Sequence, residues 1–288
     1  MRNILAILLT AVMLMMGVLP AYAEDTDLQV PSNKKSERLD ADLIQGMFDA
    51  YIDENNLQKE LIAVGYADTA TGETWYWNED KQFYSASLYK VPLMMMLAEM
   101  ISSGEMDADS EINGMSIPYI ESEVLTYSNN DIAYSMLLWF GEPSAVRLQF
   151  GRFTTLPEGY FDWGFTAYSN FTARFMTEVM LTLFREPERF PNIADCLKEA
   201  QPGHYFRLGL EDNGITIAQK YGSYHDDMDG SDWNHAAGIF YTEQPFVLTV
   251  MTRYGGISEI ILSDLAKLFL EYHTSMEKLS PEPDLHES

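Results

Sequence analysis

A serine hydroxyl is a weak nucleophile until a base takes its proton, and a lysine one helical turn later is one such base. The 288-residue chain carries that spacing three times, at Ser32 and Lys35, Ser87 and Lys90, and Ser275 and Lys278. Setting has to choose among them. Ser87 and Lys90 stand at the mouth of a long apolar run, "FYSASLYKVPLMMML", whereas Ser32 falls in a polar stretch and Ser275 near the end of a helical pattern. Residues three apart share a helix face. A helix start also aims free N–H groups at developing negative charge. Energetics then constrain the lysine: near its ordinary pKa of 10.4 it is neutral at pH 7 only about 0.04% of the time, a cost of roughly 4.6 kcal/mol. Burial, or a second cation, must lower that cost.

Two further motifs follow Ser87 in order. The chain has one Ser-x-Asn followed by a helical pattern, Ser128-Asn129-Asn130, and one Lys-x-Gly, Lys220-Tyr221-Gly222, at the end of a strand pattern. Taken singly each has an ordinary reading: Ser128 a helix cap, Asn130 a turn residue, Lys220 a surface charge.

These residues must be held by a scaffold. "SERLDADLIQGMFDAYIDEN" places Leu39, Leu43, Met47, Phe48, Tyr51 and Ile52 at helical spacing, with Ser36 as its cap. "LIAVGYADTATGETWYWNED" reads as a hairpin turning at Thr69 to Gly72. A buried helix from about Leu88 to Ser103 absorbs Met94, Met95 and Met96 as core. Helices fit "SNNDIAYSMLLWFG" and "TARFMTEVMLTLFRE", and the Gly-, Pro- and aromatic-rich "FTTLPEGYFDWGFTAYSN" between them reads as a loop. "GITIAQKYGS" and "AAGIFYTEQPFVLTVMTRY" give three strands, the last two joined around Thr242 to Pro245, before a closing helix from about Ser258 to Lys278. The order predicts an α+β domain, with helices segregated onto an antiparallel sheet of about five strands.

Composition narrows the class of partner. A formal charge of −26 repels the phosphate backbone and anionic membranes, so nucleic acid and membrane surfaces are poor partners. The opening "MRNILAILLTAVMLMMGVLPAYAED" reads as a secretory signal over residues 1–23, followed by a polar linker over 24–35. Cleavage after Ala23 would release an extracytoplasmic protein. The alternative is an uncleaved anchor, for which the apolar run falls a little short of the ~20 residues of a span. Residues 36–279 form one expected domain and 280–288 a frayed tail. Cys196 is the only cysteine, so an exported chain would rely on its core and not on an internal disulfide. The histidines at 204, 225, 235, 273 and 286 show no metal-ligand spacing, and no Gly-x-Ser-x-Gly elbow occurs. No metal or cofactor is expected.

The ordered set Ser87-x-x-Lys90, Ser128-x-Asn130 and Lys220-x-Gly222 resembles the three motifs of class A β-lactamases and penicillin-binding proteins. The likeness runs from the first helix to the last. It implies a β-lactamase/transpeptidase-like fold, with a helical lobe beside the sheet and its flanking N- and C-terminal helices. By the same likeness Ser87 would attack a carbonyl, Lys90 would accept its proton and Ser128 would relay a proton to the leaving nitrogen. Asn130 would bind the substrate amide and Lys220 would stand beside the substrate carboxylate. The N–H groups of Ser87 and Ser223 would form the oxyanion hole. The implied substrate is a β-lactam or a D-alanyl cell-wall peptide.

The chain departs from that family at two places. Class A β-lactamases resemble one another in a loop glutamate that activates the deacylating water, and "GRFTTLPEGYFDWGFTAYSN" offers only Glu158 among glutamates, outside the family's Glu-x-x-x-Asn pattern. Tyr221 stands where the family has a small Thr or Ser, removing a short hydroxyl. Slow deacylation is expected. Two other classes remain open: a carboxypeptidase or esterase of the same acyl-enzyme type, and a cell-wall-binding module with degenerate chemistry.

Overall fold

The computed structural model describes residues 39–160 and 169–279. The chain divides after Lys35, and every described residue belongs to the second unit, Ser36–Ser288. The expected signal, linker and tail lie outside the described residues, as does the expected cap at Ser36.

The first helix, α1, runs Ala41–Glu54 and is capped by Asp40, whose carboxylate accepts from the Leu43 N–H. Strands β1 (Ile62–Asp68) and β2 (Thr74–Trp77) form the expected hairpin. After the two-residue β3 (Phe83–Tyr84), a 3₁₀ turn over Ala86–Tyr89 runs straight into α2 (Lys90–Ser102). Every residue of α2 from Lys90 to Ala98 is buried, which places the three methionines in the core. A short pair, β4 (Glu111–Ile112) and β5 (Met115–Ser116), leads to α3 (Ile117–Glu121), a π-helical turn (Ser122–Thr126) and α4 (Asn130–Phe140). The helical lobe continues with α5 (Pro143–Leu148), and β6 (Asn170–Phe171) pairs with β3 ahead of α6 (Ala173–Arg185) and α7 (Ile193–Lys198).

Three long strands, β7 (Thr216–His225), β8 (Asp232–Tyr241) and β9 (Phe246–Thr252), complete the sheet before α8 (Ser258–Leu279). The sheet has five antiparallel strands, as the sequence predicts, and their order is β2-β1-β9-β8-β7. Helices cover both faces, and two neighbouring residues of β1 prove it, because successive strand residues point to opposite sides. A Cβ at Gly65 would meet Thr177 of α6, while Tyr66 packs on Phe269 and Tyr272 of α8. Tyr272 also accepts from the Asp40 N–H at 2.8 Å, tying α8 to the start of α1.

Strand β7 is the edge of the sheet and runs three residues past Gly222, paired through His225↔Asp232. The Lys-x-Gly motif therefore lies mid-strand, not at the strand end the sequence suggests. A glycine inside a strand often marks close approach of another backbone, and here a Cβ at Gly222 would come within 2.8 Å of the Ser87 nitrogen. The edge of the sheet thus lies directly against the turn that carries Ser87.

Candidate active site

Ser87 sits in the 3₁₀ turn that opens α2, half-exposed, and its hydroxyl makes no hydrogen bond among the described residues. Ala86 before it has φ of 46°, the left-handed region that a residue with a Cβ rarely adopts. Two contacts hold that turn in place. Ser85 donates its N–H to the Ser169 carbonyl at 2.8 Å and shares a 2.8 Å hydroxyl contact with the same residue. One residue earlier, the Tyr84 carbonyl accepts from His235 Nε2 at 2.7 Å. His235 Nδ1 accepts in turn from the Thr252 N–H, which fixes the neutral tautomer. Burial accordingly pushes the His235 pKa down to about 4.

Lys90 points from the first residue of α2 toward the Ser-x-Asn segment. Its Nζ donates to the Ser128 carbonyl at 2.7 Å, to Ser128 Oγ at 3.1 Å and to Asn130 Oδ1 at 2.6 Å. Among the described residues no hydrogen bond joins Lys90 to Ser87. Burial alone pulls the Lys90 pKa down to about 8. Ser128 occupies the left-handed region at φ 57°, between the π-helical turn and α4, so its hydroxyl and carbonyl both face the lysine. The helix cap is Asn129, whose side chain accepts from the Asp131 and Ile132 N–H groups, and Ser128 is free of that duty.

Lys220 arrives from the edge strand and meets the same hydroxyl: its Nζ donates to Ser128 Oγ at 2.9 Å and to the Tyr221 carbonyl at 3.1 Å. It is 0% exposed, which rules out the surface-charge reading. Burial first, and the Lys90 charge second, hold its pKa well below the ordinary lysine range. One hydroxyl between two buried amines can accept from one and donate to the other. The arrangement can therefore move a proton between Lys90 and Lys220 through Ser128.

The structure thus brings Ser128, Asn130, Lys90, Lys220 and Tyr221 into one hydrogen-bonded group and places Gly222 against Ser87. Ser223 follows on the exposed part of β7. The Glu158 backbone lies in a short 3₁₀ turn, Glu158–Tyr160, and its side chain and residues 161–168 are outside what is described. No group of three or more potential metal ligands occurs among the described residues.

Sequence reasoning missed the supports. Tyr205 stacks on Tyr221 with centroids 4.7 Å apart, and Gln201 donates to the Tyr221 hydroxyl at 3.0 Å. Both Gln201 and Tyr205 hold positive φ, 44° and 55°. Nothing in a sequence marks a non-glycine residue for that conformation. On the side of Ser87, the Tyr84 and Tyr224 rings lie 4.7 Å apart.

Comparisons with known proteins agree with the architecture. The model of the Beta-lactamase enzyme family matches residues 47–138 and 122–272, most of the chain. The chain belongs to the beta-lactamase enzyme family, whose members are hydrolases. No curated protein matches it. Among solved structures it is similar to an ancestral class A beta-lactamase (GNCA), with a TM-score of 0.65 and 18% identity over 79% of this chain and 99% of that one. The TLA-3 extended-spectrum beta-lactamase gives 0.68 and 14% over 81% and 98%. A beta-lactamase from Chitinophaga pinensis gives 0.65 and 14% over 80% and 98%. At such identities the likeness establishes the fold.

Proposed function

We propose that the protein is an exported serine hydrolase that forms an acyl-enzyme at Ser87 with β-lactams or related amides and esters, and deacylates slowly. The observation that carries this reading is the buried amine of Lys90, held on Ser128 and Asn130 at the start of the helix that Ser87 opens. Neutral Lys90 takes the Ser87 proton as Oγ bonds to the carbonyl carbon. The carbonyl electrons move to oxygen, beside the N–H groups of Ser87 and Ser223. On collapse the C–N or C–O bond breaks, and the proton held by Lys90 passes through Ser128 to the leaving atom. Asn130 orients the substrate amide. Water then cleaves the ester, and the absence of a patterned loop glutamate underlies the slow second step. Export rests on the residues 1–23 signal.

The experiment is intact mass after incubation with a penicillin. A covalent adduct on the wild type, lost in Ser87→Ala, is the expected outcome, and equal labelling of the alanine variant would sink the assignment. With a chromogenic cephalosporin, colour should appear as a burst near one equivalent. Sustained turnover above about 10 per second, a typical enzyme value, would show that another group activates the water. A second reading, an esterase of the same acyl-enzyme type acting on neutral substrates, is favoured by Tyr221, which fills the space beside Lys220 with a ring.

A further inference from the structure

We propose that this site selects acyl donors that carry no carboxylate beside the scissile bond, because Tyr221 and Tyr205 seal the buried amine of Lys220. The inference rests on the acyl-enzyme reading above and names the substrate class for that same site.

A cation recruits a carboxylate through donors that are free to turn toward it. Lys220 has none to spare. Its amine spends two donors on Ser128 Oγ and the Tyr221 carbonyl, and its remaining side is covered by the Tyr221 ring, whose centroid lies 3.9 Å away. Lys90 is equally committed, with three acceptors within hydrogen-bond distance and no exposure. The Tyr221 hydroxyl accepts from Gln201, which leaves its own O–H unspent, and Tyr221→Phe removes that donor while keeping the ring.

The seal is built to stay. Tyr221 is 9% exposed, and Tyr205 lies nearly parallel to it at 20°. Tyr205 and Gln201 keep left-handed backbones that persist only where their surroundings over-determine them. Seating a carboxylate on Lys220 would require the ring to leave the amine and the stack to open. The formal charge of −26 adds a long-range field that disfavours anions at the mouth of the site. Ser87, by contrast, is half-exposed with an unengaged hydroxyl, so a neutral carbonyl can reach it. A neutral ester or amide therefore fits better than a free acid.

Benzylpenicillin and its methyl ester share one reactive ring and differ in that charge and one methyl group. Acylation rate constants for both, read by intact mass, are compared in the wild type, Tyr221→Phe and Tyr221→Thr. The wild type and Tyr221→Phe should acylate with the ester at least as fast as with the acid. Tyr221→Thr should raise the acid-to-ester ratio at least tenfold. If Tyr221→Thr does not melt cooperatively, Tyr205→Ala, which opens the stack, should raise the same ratio. A wild type that prefers the acid overturns the proposal, and so does a ratio unmoved in the folded variants. An adduct with neither compound overturns the acyl-enzyme reading itself, and this inference with it.

Discussion

The buried lysine makes the pH dependence of acylation a quantitative test. Burial moves Lys90 from an ordinary 10.5 to about 8. At pH 7 that raises the neutral fraction from about 0.03% to about 9%, a gain of roughly 300-fold. In free-energy terms the cost of baring the amine falls from about 4.8 to about 1.4 kcal/mol. If Lys90 takes the Ser87 proton, the acylation rate constant should climb close to tenfold per pH unit from pH 5.5 to 7.5. It should bend near pH 8 and level off above it. The perturbation is pH itself, applied to the wild type with a fluorescent penicillin ester, with the adduct counted by gel and mass and folding checked by melting at each pH. Lys90→Ala should lose at least the ~10²-fold typical of a missing general base, and with it the bend. A profile flat from pH 6 to 9, or one still rising tenfold per unit at pH 10, would refute the reasoning. The first outcome would mean that no titrating base limits the step, and the second that burial does not depress the lysine.

Two further outcomes test the supports of the site. Gly222→Ala places a methyl 2.8 Å from the Ser87 nitrogen, so the edge strand or the nucleophile turn must shift. Acylation should fall about 10²-fold, the scale of a 1 Å misplacement, while melting drops by only a few degrees; unchanged acylation would show that β7 does not fix Ser87. Glu121 is 1% exposed with Oε1 unpartnered, and burial pushes its pKa from 4.5 up to about 7. Because the folded value is raised, its contribution to stability is fully present below pH 4.5 and is lost as pH rises through about 7. Above that pH the buried charge costs up to about 3.4 kcal/mol. Taking the difference at pH 4 as reference, Glu121→Gln should gain about 3 kcal/mol over the wild type in urea unfolding at pH 9, and a pH-independent difference would refute the assignment.

The parts of this fold that sequence made legible are its regular elements. Helical spacing marked α1, and apolar runs bounded by turn signals marked the five strands, of which β1 and β9 are buried along their whole length. The fully buried α2 was visible as an apolar run with Lys90 at its mouth. What stayed hidden depends on contacts between distant segments. Gly222 looked like a strand end, since glycine weakens a strand, yet the strand continues and the glycine is there for the approach to Ser87. Ala86, Ser128, Gln201 and Tyr205 hold left-handed backbones that their residue types disfavour, and all four sit in or beside the site.

That pattern carries a physical consequence. A residue with a Cβ at positive φ costs of order 1–3 kcal/mol and survives only when neighbours impose it. Ser128 is imposed upon by Lys90 and Lys220, which both engage its hydroxyl. Tyr205 is held by the stack on Tyr221, and Ala86 by the edge strand that presses on the turn through Gly222. The strain in the backbone and the depressed lysines therefore have one origin: two lobes closed tightly enough to exclude water from Lys90 and Lys220. A site assembled this way is pre-formed for proton transfer among Lys90, Ser128 and Lys220, and the same closure that lowers the lysines also covers them. The proposed chemistry at Ser87 and the proposed exclusion of anions from Lys220 would then follow from a single packing arrangement.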